Sequence, residues 1–214
     1  MARIPGNTDF EFELAVKAGN TKRIRTLVRH KARPPTLLML YALLNNHPEL
    51  LPILKEAGCD PNDKDGFSMT ALGCAMDRYP IALVEQLLDL GADPNQEATQ
   101  LLPLVTAADD GELELLEVLL KAGADPNKAQ WNGLRPIQSA AMLGYPKALR
   151  RLIEAGADPL LSGPAGKDVF YFAAQSKNPE VMAILEPYQA KVAKPKKRPS
   201  SKRAAPKTQK RKAK

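Results

Sequence analysis

Leu87-Leu88-Asp89-Leu90-Gly91-Ala92-Asp93-Pro94-Asn95 ends an apolar run on a glycine and then turns. Glycine is favoured just past a helix because it enters the left-handed region without a Cβ clash, and Asp-Pro-Asn is turn chemistry. The phrase recurs as LKEAGCDPN at Leu54 to Asn62, LLKAGADPN at Leu119 to Asn127 and LIEAGADPL at Leu152 to Leu160. Gly58, Gly91, Gly123 and Gly156 therefore stand 33, 32 and 33 residues apart. Four matched nonamers at a steady period mark an array of structural repeats.

An alanine stands sixteen residues before each glycine: Ala42, Ala75, Ala107 and Ala140, with Ala15 and Ala173 in matching places at the two ends. A small residue at a fixed point of a short helix lets a neighbouring helix approach where a longer side chain would overpack the contact. Each unit thus reads as two short helices. In the unit Asp63 to Asn95, Thr70 is the expected cap of a first helix running to about Asp77. Tyr79-Pro80 breaks it, and Ile81 to Leu90 forms a second helix with Leu83, Val84, Leu87 and Leu88 on one stripe. The stretch from Asn95 to the next first helix lacks a helical period and is expected to project as a hairpin-like loop. Such a helix pair cannot bury its apolar stripes alone, so the units must stack into a solenoid.

These residues resemble the ankyrin repeat, a unit of about 33 residues with a T-P-L-H-x-A stretch opening its first helix and a G-A-D-x-N stretch closing its second. The opening stretch is matched in part by Thr70 to Ala75, Leu102 to Ala107 and Arg135 to Ala140. Gly73, Val105 and Gln138 stand where the family has histidine, so the hydrogen bonds of that histidine do not carry over as such. The resemblance implies an all-α ankyrin-repeat solenoid of about six helix-pair units with short hairpin loops. Its repeat domain covers 1–189, with four clear repeats at about 36–160 and degenerate end units at 8–31 and 166–189. Residues 190–214 are read as a disordered tail rich in Lys, Arg, Pro and Ala, because they hold almost nothing that could be buried.

The chain has 214 residues, 44% of them hydrophobic and 26% charged, which is enough apolar material for a stacked array and excludes wholesale disorder. Its longest apolar run, Leu37 to Leu44, is far shorter than the roughly 20 residues of a membrane span, so no membrane role is expected. The net charge of +7 divides unevenly. Lys191 to Lys214 hold twelve Lys or Arg and no acid, which leaves 19 basic against 24 acidic side chains in residues 1–190. Two cysteines, Cys59 and Cys74, and two histidines, His30 and His47, suit a reducing compartment and leave little for a metal site.

No phosphate-binding G-x-x-x-x-G-K-[ST] loop, G-x-S-x-G elbow or H-E-x-x-H pair occurs. The reading is therefore no enzyme, no cofactor, no metal and no small-molecule substrate. The resemblance implies a structural place for His47 at the turn between two helices, and Cys59 and Cys74 read as small buried apolar residues.

The resemblance implies a protein partner bound by loop tips and by the concave side of the first helices. In those places stand Met69, Asp77, Arg78, Leu101, Asp109, Asp110, Trp131, Leu134, Met142 and Leu143. Trp131, Leu134, Met142 and Leu143 are the expected apolar anchors, with Asp109 and Asp110 as an acidic rim. The rival reading is that neighbouring loops pack on these side chains and the patch is local structure. The tail residues Lys194, Lys196, Lys197, Arg198, Lys202, Arg203, Lys207, Lys210, Arg211, Lys212 and Lys214 are expected to bind nucleic acid or another polyanion non-specifically, or to act as a nuclear-targeting segment, the third reading being an inert solubilising tail that can fold back on the acidic repeat body. The function expected is that of a monomeric adaptor or scaffold in the cytoplasm, or the nucleus of a eukaryotic cell. The alternatives are a nucleic-acid-associated protein acting mainly through the tail, and a host-directed effector or enzyme inhibitor on the same scaffold.

Overall fold

Residues 8–30 and 32–192 are described by the computed structural model, and they fold into twelve α-helices in six consecutive pairs. The pairs are α1 (Thr8–Lys17) with α2 (Thr21–Arg29), α3 (Leu38–Leu44) with α4 (Leu51–Glu56), and α5 (Ala71–Arg78) with α6 (Ile81–Asp89). Next come α7 (Pro103–Asp110) with α8 (Leu113–Lys121), α9 (Pro136–Leu143) with α10 (Pro146–Glu154), and α11 (Val169–Ser176) with α12 (Pro179–Val192). A 3-10 turn, Pro48–Leu50, leads into α4.

Helix ends follow local chemistry. Thr70 Oγ1 accepts the Gly73 amide at 3.0 Å, Asn20 caps α2 in the same way, and Asp168 caps α11. Proline opens α7, α9, α10 and α12, where its missing N–H costs nothing. Gly58, Gly91, Gly123 and Gly156 take φ of 93, 92, 90 and 94°, one left-handed geometry repeated four times. The last helix departs from expectation: α12 continues to Val192 through Pro187, beyond the expected boundary at residue 189. The disorder expected for the tail, and Lys31, lie outside the described residues.

First helices pack on first helices, α1 on α3, α3 on α5, α7 on α9 and α9 on α11. Second helices do likewise, α2 on α4, α6 on α8, α8 on α10 and α10 on α12. The anchoring alanines sit at these contacts: Ala42, Ala75, Ala107, Ala140 and Ala173 are wholly buried. One apolar core runs from Phe12 to Leu185. Two junctions lack this close approach, α4 with α6 and α5 with α7.

Between units, backbone groups are closed by side chains. Asn62, Asn95 and Asn127 each donate through Nδ2 to the carbonyl of the next unit's glycine, Gly91, Gly123 and Gly156, at 2.9–3.0 Å. Each also accepts through Oδ1 from the next unit's aspartate amide, Asp93, Asp125 and Asp158, at 2.7 Å. The aspartates in turn hold the amide two residues on, as Asp93 does for Asn95 at 2.8 Å. This asparagine ladder lines the four glycines along one edge and stops at Leu160, which replaces the fourth asparagine.

Gln138 supplies the bridge that no histidine makes. Wholly buried, it accepts the Arg135 amide through Oε1 and donates through Nε2 to the Leu161 carbonyl, both at 3.1 Å. At the opposite edge, rings and amides of one unit cover the turn of the one before it. The Tyr79 hydroxyl donates to Leu43 O at 2.6 Å, Asn178 Nδ2 to Gly144 O at 3.0 Å, and the Tyr145 ring lies over Gly111. His47 has such a structural place, its ring over Gly19 and its Nδ1 2.9 Å from Glu49.

The loops project as hairpin-like fingers. Asp65 pairs with Met69, Gln130 with Leu134 and Gly163 with Lys167 through one backbone bond each, and Ala98 with Leu101 through two at 2.9 Å.

Candidate partner-binding groove

The gap between α5 and α7 has a cause in two small residues. Ala98 leans from its finger onto Gly73, so that a Cβ at position 73 would stand 2.5 Å from the Ala98 methyl. The finger therefore wedges where the first helices would otherwise touch. The tip, Thr99-Gln100, has φ of 49° and 70°, a two-residue turn that a β-branched residue enters only when held there. Thr99 N donates to Ser68 O at 3.1 Å, tying one finger to the previous one.

The result is a groove of about 460 Å³. Met69, Met76, Ala98, Leu101 and Pro103 give it an apolar lining, and Asp77, Asp110 and Glu112 stand around it. Asp77 has Arg78 Nε at 3.7 Å, both exposed. Among the described residues neither Asp110 nor Glu112 has a cationic partner. The charge is regional as well as local. From residue 60 to 117 the chain carries thirteen acidic side chains against Lys64 and Arg78 alone, a net of −11 in the units that flank the groove. Asp109, half-buried next to Asp110, has its pKa pushed up to about 6 by burial and then by the charge of Asp110. Its Oδ1 is buried without a hydrogen-bond partner.

Four of the residues expected from sequence, Met69, Asp77, Leu101 and Asp110, come together in this groove. Arg78 lines a neighbouring recess with Tyr79, Ile81 and Glu112. The expected anchor cluster is divided. Trp131 is 66% exposed at its fingertip and Leu143 is 46% exposed. Leu134 is a correction: it is 9% exposed and lies in a small second core with Leu102, Val105 and Phe172, against which Met142 also packs. The finger folds Leu134 inward while its tip carries Trp131 outward. Of the expected acidic rim, Asp110 lines the groove, whereas Asp109 is half-buried and does not.

Sequence reasoning missed Met76, Glu112 and Phe67, which at 85% exposure is the most open large apolar side chain of the described residues. Phe67 follows Asp65-Gly66, a turn signal that could have marked it as a tip. A running charge count would have found the acidic units.

Cys59 and Cys74 are free and buried. Burial, with help from Asp63, pushes the Cys59 thiol up to about 11, and burial raises Cys74 as well, so both stay protonated. Among the described residues no three His, Cys, Asp or Glu side chains gather as a metal site, and no helix is long and apolar enough to cross a membrane.

A family model described as ankyrin repeats (3 copies) matches residues 12–98 and 104–196, most of the chain. No curated protein matches it.

Proposed function

The chain belongs to the ankyrin repeat family, a protein-interaction module, and from that premise we propose that it is a non-enzymatic adaptor or scaffold whose protein partner seats in the groove between the third and fourth units. The observation that carries this reading is the combination of an apolar lining from Met69, Met76, Leu101 and Pro103 with the carboxylates of Asp77, Asp110 and Glu112. Methionine side chains adapt to irregular shapes, and the fixed stack meets its partner with little ordering cost. The chemistry fits a segment that offers a cation or two beside an apolar side chain. Phe67, Leu101 and Trp131, all exposed on fingers, extend the contact along the loop edge.

Photocrosslinking tests it. A photoreactive residue at Leu101 should capture partner protein in the native cell, whereas one at Glu85, exposed on α6, should not. Equal capture from both positions would remove the groove from the reading.

The twelve basic side chains of residues 191–214 support a second activity, salt-sensitive binding of nucleic acid or another polyanion, or nuclear targeting. The two free cysteines suit a cytoplasmic or nuclear setting.

A further inference from the structure

The groove's carboxylates and the basic tail answer each other within one chain. Residues 60–117 carry a net charge of −11, and residues 193–214 carry eleven Lys or Arg and no acid. Asp110 and Glu112 lack a cationic partner among the described residues, although they flank a formed groove. Geometry permits the meeting. In units two to five the second helix is followed by a finger, as α6 leads to Ala98–Leu101, and α12 holds the second-helix place of its unit, packed on α10 and α11. The groove lies two to three units back along the stack, about 25 Å at the usual 8–10 Å between packed helices. Twenty-two residues can span about 70 Å when extended.

We propose that residues 193–214 of this chain dock in cis over the groove between α5 and α7, so that the tail covers the partner surface and its own cations at once. Lysine and arginine carry long aliphatic stems below their charged heads. Stems lie along Met69, Met76 and Leu101 while the heads reach Asp77, Asp110 and Glu112. A partner or a polyanion must then displace this contact, and each one's binding frees the site of the other. The docking itself does not need an external partner, so it is read separately from the capture at Leu101.

The test is zero-length carbodiimide crosslinking of the full chain, with the amide-linked peptides identified by mass spectrometry. Lys194 to Lys214 should join Asp77, Asp110 and Glu112, within one molecule. These adducts should fall at least about fivefold in 1 M salt, where the screening length shrinks to about 3 Å. Lys210→Glu, Arg211→Glu, Lys212→Glu should lower the adducts of the remaining lysines, Lys194 to Lys207, to the same extent without touching the repeats. Equal adducts at Glu11, Glu154 or Glu180, or no change in 1 M salt or in the tail variant, would overturn the proposal. So would heavy-light pairs dominating a mixture of isotope-labelled and unlabelled chains, because the tail would then belong to a second copy.

Discussion

Gln138 shows what one buried side chain does for a repeat that lacks its usual histidine. Gln138→Leu keeps much of the volume but leaves the Arg135 amide and the Leu161 carbonyl without their partner. The expected loss is about 2 kcal/mol, read as a lower urea midpoint at unchanged slope. Gly111 is equally constrained: at φ 68° a Cβ would stand 2.8 Å from the Tyr145 ring, so Gly111→Ala should lose about 1 kcal/mol or more in the same measurement. Asp109 works in the other direction. Unfolded, its carboxyl titrates near 3.8, whereas in the fold it holds its proton up to about 6. Between these values the folded state binds the extra proton, so this contribution to stability is full below about pH 4 and is lost as pH rises through about 6. Asp109→Asn should flatten that slope and raise stability at pH 7 by about 1 kcal/mol, a figure discounted for the group's partial exposure to solvent. Thermal melts at pH 4.5 and pH 7 decide it.

At the scale of elements, the asparagine ladder makes the junctions testable one by one. Asn95→Ala removes a donor to Gly123 O and an acceptor for Asp125 N at once, and should cost about 1–3 kcal/mol. Leu160, in the matching place of the next unit, should tolerate alanine with almost no loss, because it joins no ladder and is 41% exposed. This contrast also marks how far the sequence was legible. The Gly58, Gly91, Gly123 and Gly156 turns, the Thr70 cap and the Tyr79-Pro80 break depend on neighbours a few residues away, and the helix bounds of α5 and α6 follow from them. Leu134 and Trp131 are three residues apart in one finger, and only the fold decides which turns inward. The groove was out of reach for a similar reason. It depends on Ala98 meeting Gly73 across 25 positions, a contact that neither residue type announces.

For the molecule as a whole, stability is a sum over units and junctions, since each unit touches only its neighbours. Charge is laid over this row unevenly: acid in the middle, base at the C-terminal end. Affinity for non-specific duplex should fall steeply as salt rises, and Lys210→Ala, Arg211→Ala, Lys212→Ala should shallow the log-log slope by about 2 to 3. An unchanged slope would place the polyanion contact elsewhere. Neutralising the groove acids should strengthen duplex binding at low salt if the tail is held there.

The early stop of the ladder at Leu160 has a mechanical consequence. The closing pair α11 and α12 lacks the clasp that joins units two to five along the glycine edge, and is held by the packing of α11 on α9 and α12 on α10, by Arg150 with Glu180 and, at the other edge, by Asn178. A load applied at the C-terminal end should peel this pair away first, with the groove still assembled. The sixth unit would then serve as a tether between the basic segment and the rigid remainder, lengthening under tension before anything essential tears.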